Sequence, residues 1–166
     1  MATHFTHLDG DGRLRMVDVT DKDVTRRSAQ ASCVVRSRVD VFSLAPSAGG
    51  LDPVFAARLA GIQAAKATSA LIPLCHPINL NDVQVEVTSE DGRVVVRSSV
   101  VTVNRTGVEM EALTACSFAA LSLVNALTAL DEEARFEDLV LERKTGGKSG
   151  DWGRAVSADE AAAAGD

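Results

Sequence analysis

Hydrophobic and polar positions divide the chain into six regular segments. Gln30–Asp40 is β-branched with partly alternating polarity, which predicts a strand. The stretch Pro46–Gly50 reads as a loop from its Pro and Gly content. Asp52 and Pro53 then open a helix, Asp as N-cap and Pro in the first turn, where its missing N–H is harmless. That helix runs to about Thr68, and its many small residues predict close packing against another backbone. Two prolines keep Leu71–Pro77 out of regular helix. Val83, Val85 and Val87 share one face of a strand over Asn81–Ser89, Glu90–Gly92 is a turn, and Arg93–Asn104 returns as a valine-rich partner. A long, mostly apolar helix follows from Gly107 to about Asp131, then a strand over Phe136–Lys144 and a glycine-rich loop over Thr145–Gly150.

The order strand–helix–strand–strand–helix–strand predicts an α+β, ferredoxin-like βαββαβ fold. Both helices would lie on one face of an antiparallel sheet, with a small N-terminal extension beside it. The second helix is apolar around more of its circumference than one sheet can cover, which predicts burial at subunit interfaces. Residues 1–155 read as a single domain. Residues 156–166 form an acidic, Ala-rich tail without pattern, expected to be disordered.

Composition narrows the function classes. A chain of 166 residues with 46% hydrophobic and 24% charged side chains suits one globular domain, not a disordered or membrane protein. A net charge of −6 opposes nucleic acid, and 4% aromatics with no Tyr and one Trp supply no platform for successive stacked bases. The three cysteines, Cys33, Cys75 and Cys116, are scattered and form no CxxC. The first residues lack a secretory pattern, and Glu109, Glu111 and Asn125 interrupt the apolar stretch Val108–Leu130, so a soluble, cytoplasmic protein is expected.

Lysine is scarce: Lys22, Lys66, Lys144 and Lys148 are the full set. Lys66 falls at the end of the first helix, where a solvated cation complementing the helix dipole is the ordinary reading. Lys144 and Lys148 flank a glycine pair, so two ammonium groups and backbone N–H groups can meet one anion. The Gly147-Lys148-Ser149 run is not a nucleotide P-loop, because Glu142 stands where that motif needs its first glycine. His76 lies in the proline-bounded loop with Cys75 beside it, and no further ligand at useful spacing makes a metal site there. Glu109 and Glu111, two apart at a helix start, are ordinary dipole partners. These residues alone define an anion-binding α+β oligomer.

Four ordered motifs are more specific. Met16-Val17-Asp18-Val19, RLAGIQAAKATSALIPLCHP over Arg58–Pro77, TGVEMEALTA over Thr106–Ala115, and Lys144–Gly150 form one series. Together they closely resemble the cyclic pyranopterin monophosphate synthase family of molybdenum-cofactor biosynthesis, from about Thr6 to Trp152. The resemblance implies a ferredoxin-like fold, a hexamer built from dimers, and an active site at a dimer interface. It implies a lyase that converts 3′,8-cyclo-7,8-dihydro-GTP to a pyranopterin with a cyclic phosphate and releases pyrophosphate. It requires no metal, though Mg2+ can accompany the phosphates. Substrate-contacting roles pass to Arg27, Cys75, Glu109, Met110, Glu111, Lys144 and Lys148, and catalytic roles to Lys66 and His76. The partners implied are a phosphorylated purine- or pterin-like small molecule and further copies of the chain.

Three positions depart from the family pattern. Gly50 stands where the family carries a catalytic Lys, Asn125 where it carries an Asp, and Thr128 where it carries a second Lys. An amide takes no proton near neutral pH and a hydroxyl carries no positive charge. The sequence therefore keeps the groups that grip a ligand and replaces those that move protons. Loss or alteration of the family reaction follows. The alternatives are a repurposed enzyme on a different phosphorylated or cyclic nucleotide-like substrate, and a non-catalytic binding or scaffolding subunit.

Overall fold

The structure, a computed structural model, describes residues 7–44, 50 and 52–155. The loop expected over residues 46–50, apart from residue 50 itself, and the tail 156–166 lie outside the described residues. Five strands and two long helices follow in the order β1 (Thr25–Arg36), α1 (Pro53–Leu71), β2 (Asp82–Glu90), β3 (Arg93–Asn104), α2 (Glu109–Leu127), β4 (Arg135–Thr145) and β5 (Trp152–Gly153). The strands form one sheet in the order β2-β3-β1-β4-β5, every neighbouring pair antiparallel. This is the ferredoxin-like arrangement, extended at one edge by the two-residue β5. A single turn of 3-10 helix at Val41–Ser43 and β5 are the elements that the hydrophobic pattern does not announce.

The boundaries have local causes. Asp52 accepts the Val54 and Phe55 N–H groups and caps α1, with Pro53 in its first turn. The helix continues past Thr68 to Leu71 and stops because Ile72, the residue before Pro73, is extended. The hairpin joining β2 and β3 turns on Asp91 and Gly92, at φ 49° and 72°. Glu90 pairs with Arg93 directly beneath, the geometry of a tight two-residue turn whose twist matches its strands. Strand β1 begins at Thr25, ahead of the alternation that starts at Gln30. Its polar first residues are held by pairing with the end of β3 and, from Ser28, with β4. It ends at Arg36 because the next residues turn away to bind Asp131: the Ser37 hydroxyl (2.9 Å), the Arg38 N–H (2.8 Å) and the Arg38 guanidinium (2.9 Å) all donate to that buried carboxylate. These donors hold Asp131 ionised, well below the usual carboxylate range.

One sheet face packs on the helices. Ala29, Ala31, Cys33 and Val35 of β1 alternate inward, as do Val96 and Val100 of β3. They meet α2 through Ala112, Ala115, Cys116, Ala119, Ala120, Leu123 and Leu127, spaced three and four apart. By length and composition α2 could cross a membrane, but half of it is buried inside the protein, as in a core helix. Its opposite side leaves Met110, Phe118 and Leu121 exposed, and α1 exposes Phe55 and Leu59. Cys33 and Cys116 touch in the core, Sγ to Sγ 3.3 Å, as free thiols. This contact and burial push the Cys116 thiol up, so it stays protonated.

The two helices approach closely at Gly61. A methyl group there would lie 2.7 Å from the Ala115 carbonyl oxygen and 3.0 Å from Val85. Gly61→Ala gains up to about 1 kcal/mol of helix propensity but overpacks a backbone contact, an effect of about 1–3 kcal/mol. A lower urea midpoint than wild type is expected; an equal or higher midpoint would mean that the helices separate without strain.

Candidate functional site

The strand ends and the start of α2 converge at one end of the sheet. A bend at Arg105 and Thr106 leads from β3 into α2, which places Glu109, Met110 and Glu111 in the first turn, where carboxylates complement the helix dipole. Glu109 forms an ion pair with Lys144 of β4, Oε1 to Nζ 3.3 Å, and Lys144 also reaches the Ser149 hydroxyl at 3.4 Å. Glu111 is only 5% exposed. Burial pushes its carboxyl up to about 7, with the Glu109 charge adding to the shift. The loop after α1 brings Cys75 near it: burial and the Glu111 carboxylate raise the Cys75 thiol. The loop bends at Leu74, a non-glycine residue at φ 64°, an uncommon conformation immediately before Cys75 and His76. His76 is half-buried. Glu109, Glu111, Lys144 and Cys75, four of the residues singled out in the sequence, thus form one cluster.

Arg27 and Lys148 lie in an adjoining basin. Its cavity, of about 760 Å3, is lined by Asp21, Lys22, Asp23, Thr25, Arg27, Gly147, Lys148 and Ser149. Arg27 donates through Nε to the Asn104 carbonyl (3.1 Å), and its guanidinium packs so tightly on Gly147 that a methyl there would lie 2.4 Å from Nη1. Gly146 and Gly147, at φ 83° and 75°, give the loop a path that other residues rarely adopt. The buried Thr25 hydroxyl has no hydrogen-bond partner among the described residues. Lys22 and Thr25 were not legible from the sequence because the N-terminal segment has no periodicity; the scarcity of lysine was the signal that could have flagged Lys22.

The other candidates are elsewhere. Lys66 is exposed on α1 and lines a separate cavity with Ile62 and residues 78–83. Gly50, Asn125 and Thr128 are exposed, and the Thr128 hydroxyl donates to the Val124 carbonyl. Fourteen residues of helix separate Glu111 from Asn125, about 21 Å at 1.5 Å per residue. Within one protomer Glu109 and Glu111 lie at the start of α2 and Asn125 and Thr128 at its far end. The cavity near that far end is lined by Arg36, Arg38, Arg93 and Arg135. Arg36 and Arg135 share Glu137, Arg38 pairs with both Asp131 and Glu133, and Arg93 pairs with Asp91. Four carboxylates thus match the four guanidinium groups and leave no surplus of positive charge. Among the described residues no group of three or more His, Cys, Asp and Glu side chains converges as a cation cage.

Fold and site together define a ferredoxin-like α+β protein with a cation-lined basin beside a buried, proton-holding carboxyl. The chain belongs to the MoaC family, whose model matches residues 16–147. It is 51% identical over 154 residues to a cyclic pyranopterin monophosphate synthase of Nocardioides sp., covering 90% of this chain and 94% of that protein. It is 47% identical over 152 residues to one of Streptomyces coelicolor (90% and 89% covered), and 46% identical over 160 residues to cyclic pyranopterin monophosphate synthase 1 of Mycobacterium tuberculosis (94% of each).

The raised Glu111 carboxyl makes stability depend on pH. Between its unfolded value near 4.5 and about 7, the folded state keeps a proton that the unfolded state has released, so stability falls as pH rises through this window. The loss approaches about 3 kcal/mol above pH 7. Urea unfolding of wild type and Glu111→Gln at pH 5 and pH 8 is expected to show the variant relatively more stable at pH 8. Parallel profiles would contradict the assignment.

Proposed function

We propose that this chain is a cyclic pyranopterin monophosphate synthase-like protein that binds the phosphorylated, purine-derived ligand of its family and turns it over slowly or not at all. The observation that carries this reading is the cluster of Glu109, Glu111, Cys75 and Lys144 beside the Arg27–Lys148 basin, in a chain about half identical to named synthases. Carboxylates accept hydrogen bonds from an amino-pyrimidinone edge, and the basin offsets phosphate charge on an otherwise acidic protein. Met110, exposed beside the two glutamates, adds an apolar contact to the ring. A divalent ion such as Mg2+ would enter on the ligand's own phosphates, since Glu109 is already committed to Lys144.

The separation along α2 supports a site shared between two copies. An antiparallel crossing of two α2 helices near Phe118, midway between Glu111 and Asn125, would bring Glu111 of one copy to Asn125 of the next. The exposed Phe118 and Leu121 give that crossing an apolar seam. His76 would then join from the loop that carries Cys75, and Lys66 would approach the ligand from its own cavity on α1. At the second copy's end, Gly50, Asn125 and Thr128 provide neither proton acceptor nor cation. General acid–base groups contribute about 10²–10⁴ each in rate, without simple additivity. A small, phosphorylated ligand of this kind also suits a cytoplasmic protein.

The test is incubation with 3′,8-cyclo-7,8-dihydro-GTP, with pyrophosphate release and pterin formation measured separately from binding by calorimetry. Binding that weakens as salt rises, with turnover several orders below a typical 1–10³ s⁻¹, is expected. The triple variant Gly50→Lys, Asn125→Asp, Thr128→Lys, once shown to be folded, is expected to regain pyrophosphate release, and the single variants much less. Robust turnover by the unaltered chain would return it to ordinary synthase activity. Absence of any binding at low salt would remove the retained-site reading.

Assembly is a separate prediction. Light scattering at micromolar concentration is expected to give a dimer or a larger multiple, up to the hexamer of the family. A monomeric mass would leave the proposed site incomplete.

A further inference from the structure

We infer that Trp152 is the platform on which the planar ring of the ligand stacks, an assignment that rests on the purine- or pterin-type ligand proposed above. Register across the sheet places it there. Ala29 of β1 pairs with Lys144 of β4, and Lys144 pairs with Trp152 of β5. Directly paired residues share a sheet face, so the three form a row on the side that carries the helices. Ala29 is buried beneath the helices, and Lys144 is half-buried with its ammonium group on Glu109. Trp152 is outermost and 45% exposed. The indole therefore flanks the ion pair at the start of α2.

The local chain is built to hold it in that position. Gly146, Gly147 and Gly150 all have positive φ, and a methyl group on Gly146 would lie 2.3 Å from the Arg26 carbonyl oxygen. The Asp151 carboxylate accepts the Gly146 N–H at 3.0 Å, Gly150 N–H donates to the Gly147 carbonyl, and Arg154 N–H donates to the Glu142 carbonyl at 2.8 Å. These bonds fold the chain back on β4 and fix Trp152 opposite Lys144.

The chemistry is complementary. Glu109 and Glu111 can bind the edge of a ring, which leaves its faces unsatisfied. An indole face stacks on any planar heterocycle with little dependence on its substituents. A single aromatic cannot serve a run of bases, but it suffices for one ring. With no Tyr and one Trp in the chain, that indole also reports on the site by its own fluorescence.

The experiment compares a ring-bearing probe, GTP, with a ringless one, inorganic pyrophosphate. In the wild-type protein GTP is expected to quench the Trp152 fluorescence and pyrophosphate to leave it nearly unchanged. By calorimetry, Trp152→Ala is expected to weaken GTP about tenfold and pyrophosphate by less than twofold, and Trp152→Phe to retain most of the GTP affinity. Equal weakening of both probes, or of neither, would overturn the assignment. So would a change of mass in light scattering for Trp152→Ala, because the indole would then belong to a subunit contact. If the wild type binds pyrophosphate but not GTP, the stacking platform fails while the anion basin stands. If it binds neither probe, the proposed function falls and the platform with it.

Discussion

The close approach of α1 and α2 is the constraint on which the molecule depends. At Gly61 the helix backbones come together with no room for a methyl group, and the small residues on either side let both helices settle on the sheet. A tight pair has two consequences. It fixes the direction of α2, and therefore the point at which Glu109 and Glu111 enter the site. It also uses the small side chains inward, so the large ones, Phe55, Leu59, Phe118 and Leu121, are turned outward. The outer apolar surface follows from how the inner contact is made.

Charge is organised locally rather than globally. The chain is acidic as a whole, yet Lys22, Arg27, Lys144 and Lys148 gather where β1, β4 and the glycine loop meet. At the other end of the sheet four arginines are as numerous, but carboxylates neutralise each of them. Lys144 is paired with Glu109 and the basin also holds Asp21 and Asp23, so its four cations outnumber three carboxylates by one. The arginines at the other end are matched one for one. Burial does the corresponding work for Glu111, which holds its proton at a pH where exposed carboxyls have lost theirs.

Much of the fold was legible because its signals are local. Asp52 and Pro53 mark a helix start, Asp91-Gly92 a hairpin, and the alternating valines of β2 and β3 a half-buried sheet. The start of β1 was not legible, since Thr25, Arg26 and Arg27 carry no hydrophobic alternation and owe their strand to β3 partners about 75 to 79 residues away. β5 was hidden for the same reason: two residues have no period. In the site, the glutamates and lysines could be picked out by motif. Lys22, Thr25 and Trp152 could not, because only the tertiary fold gives them neighbours. The buried Asp131 was also missed, although its position just past a helix end, near Ser37 and Arg38 in space, explains both where β1 ends and why the charge is tolerated.

The length of α2 has a further meaning. Its two ends would serve different sites in the proposed assembly, so one helix carries two half-sites that never meet within a chain. Substitutions at Asn125 and Thr128 can then accumulate without disturbing the packing or charge around Glu111, about 21 Å away. Each half is a separate target for selection. A lineage could exchange its proton-moving residues while inheriting its ligand grip unchanged, and two chains with opposite defects could combine into an oligomer in which some sites are whole.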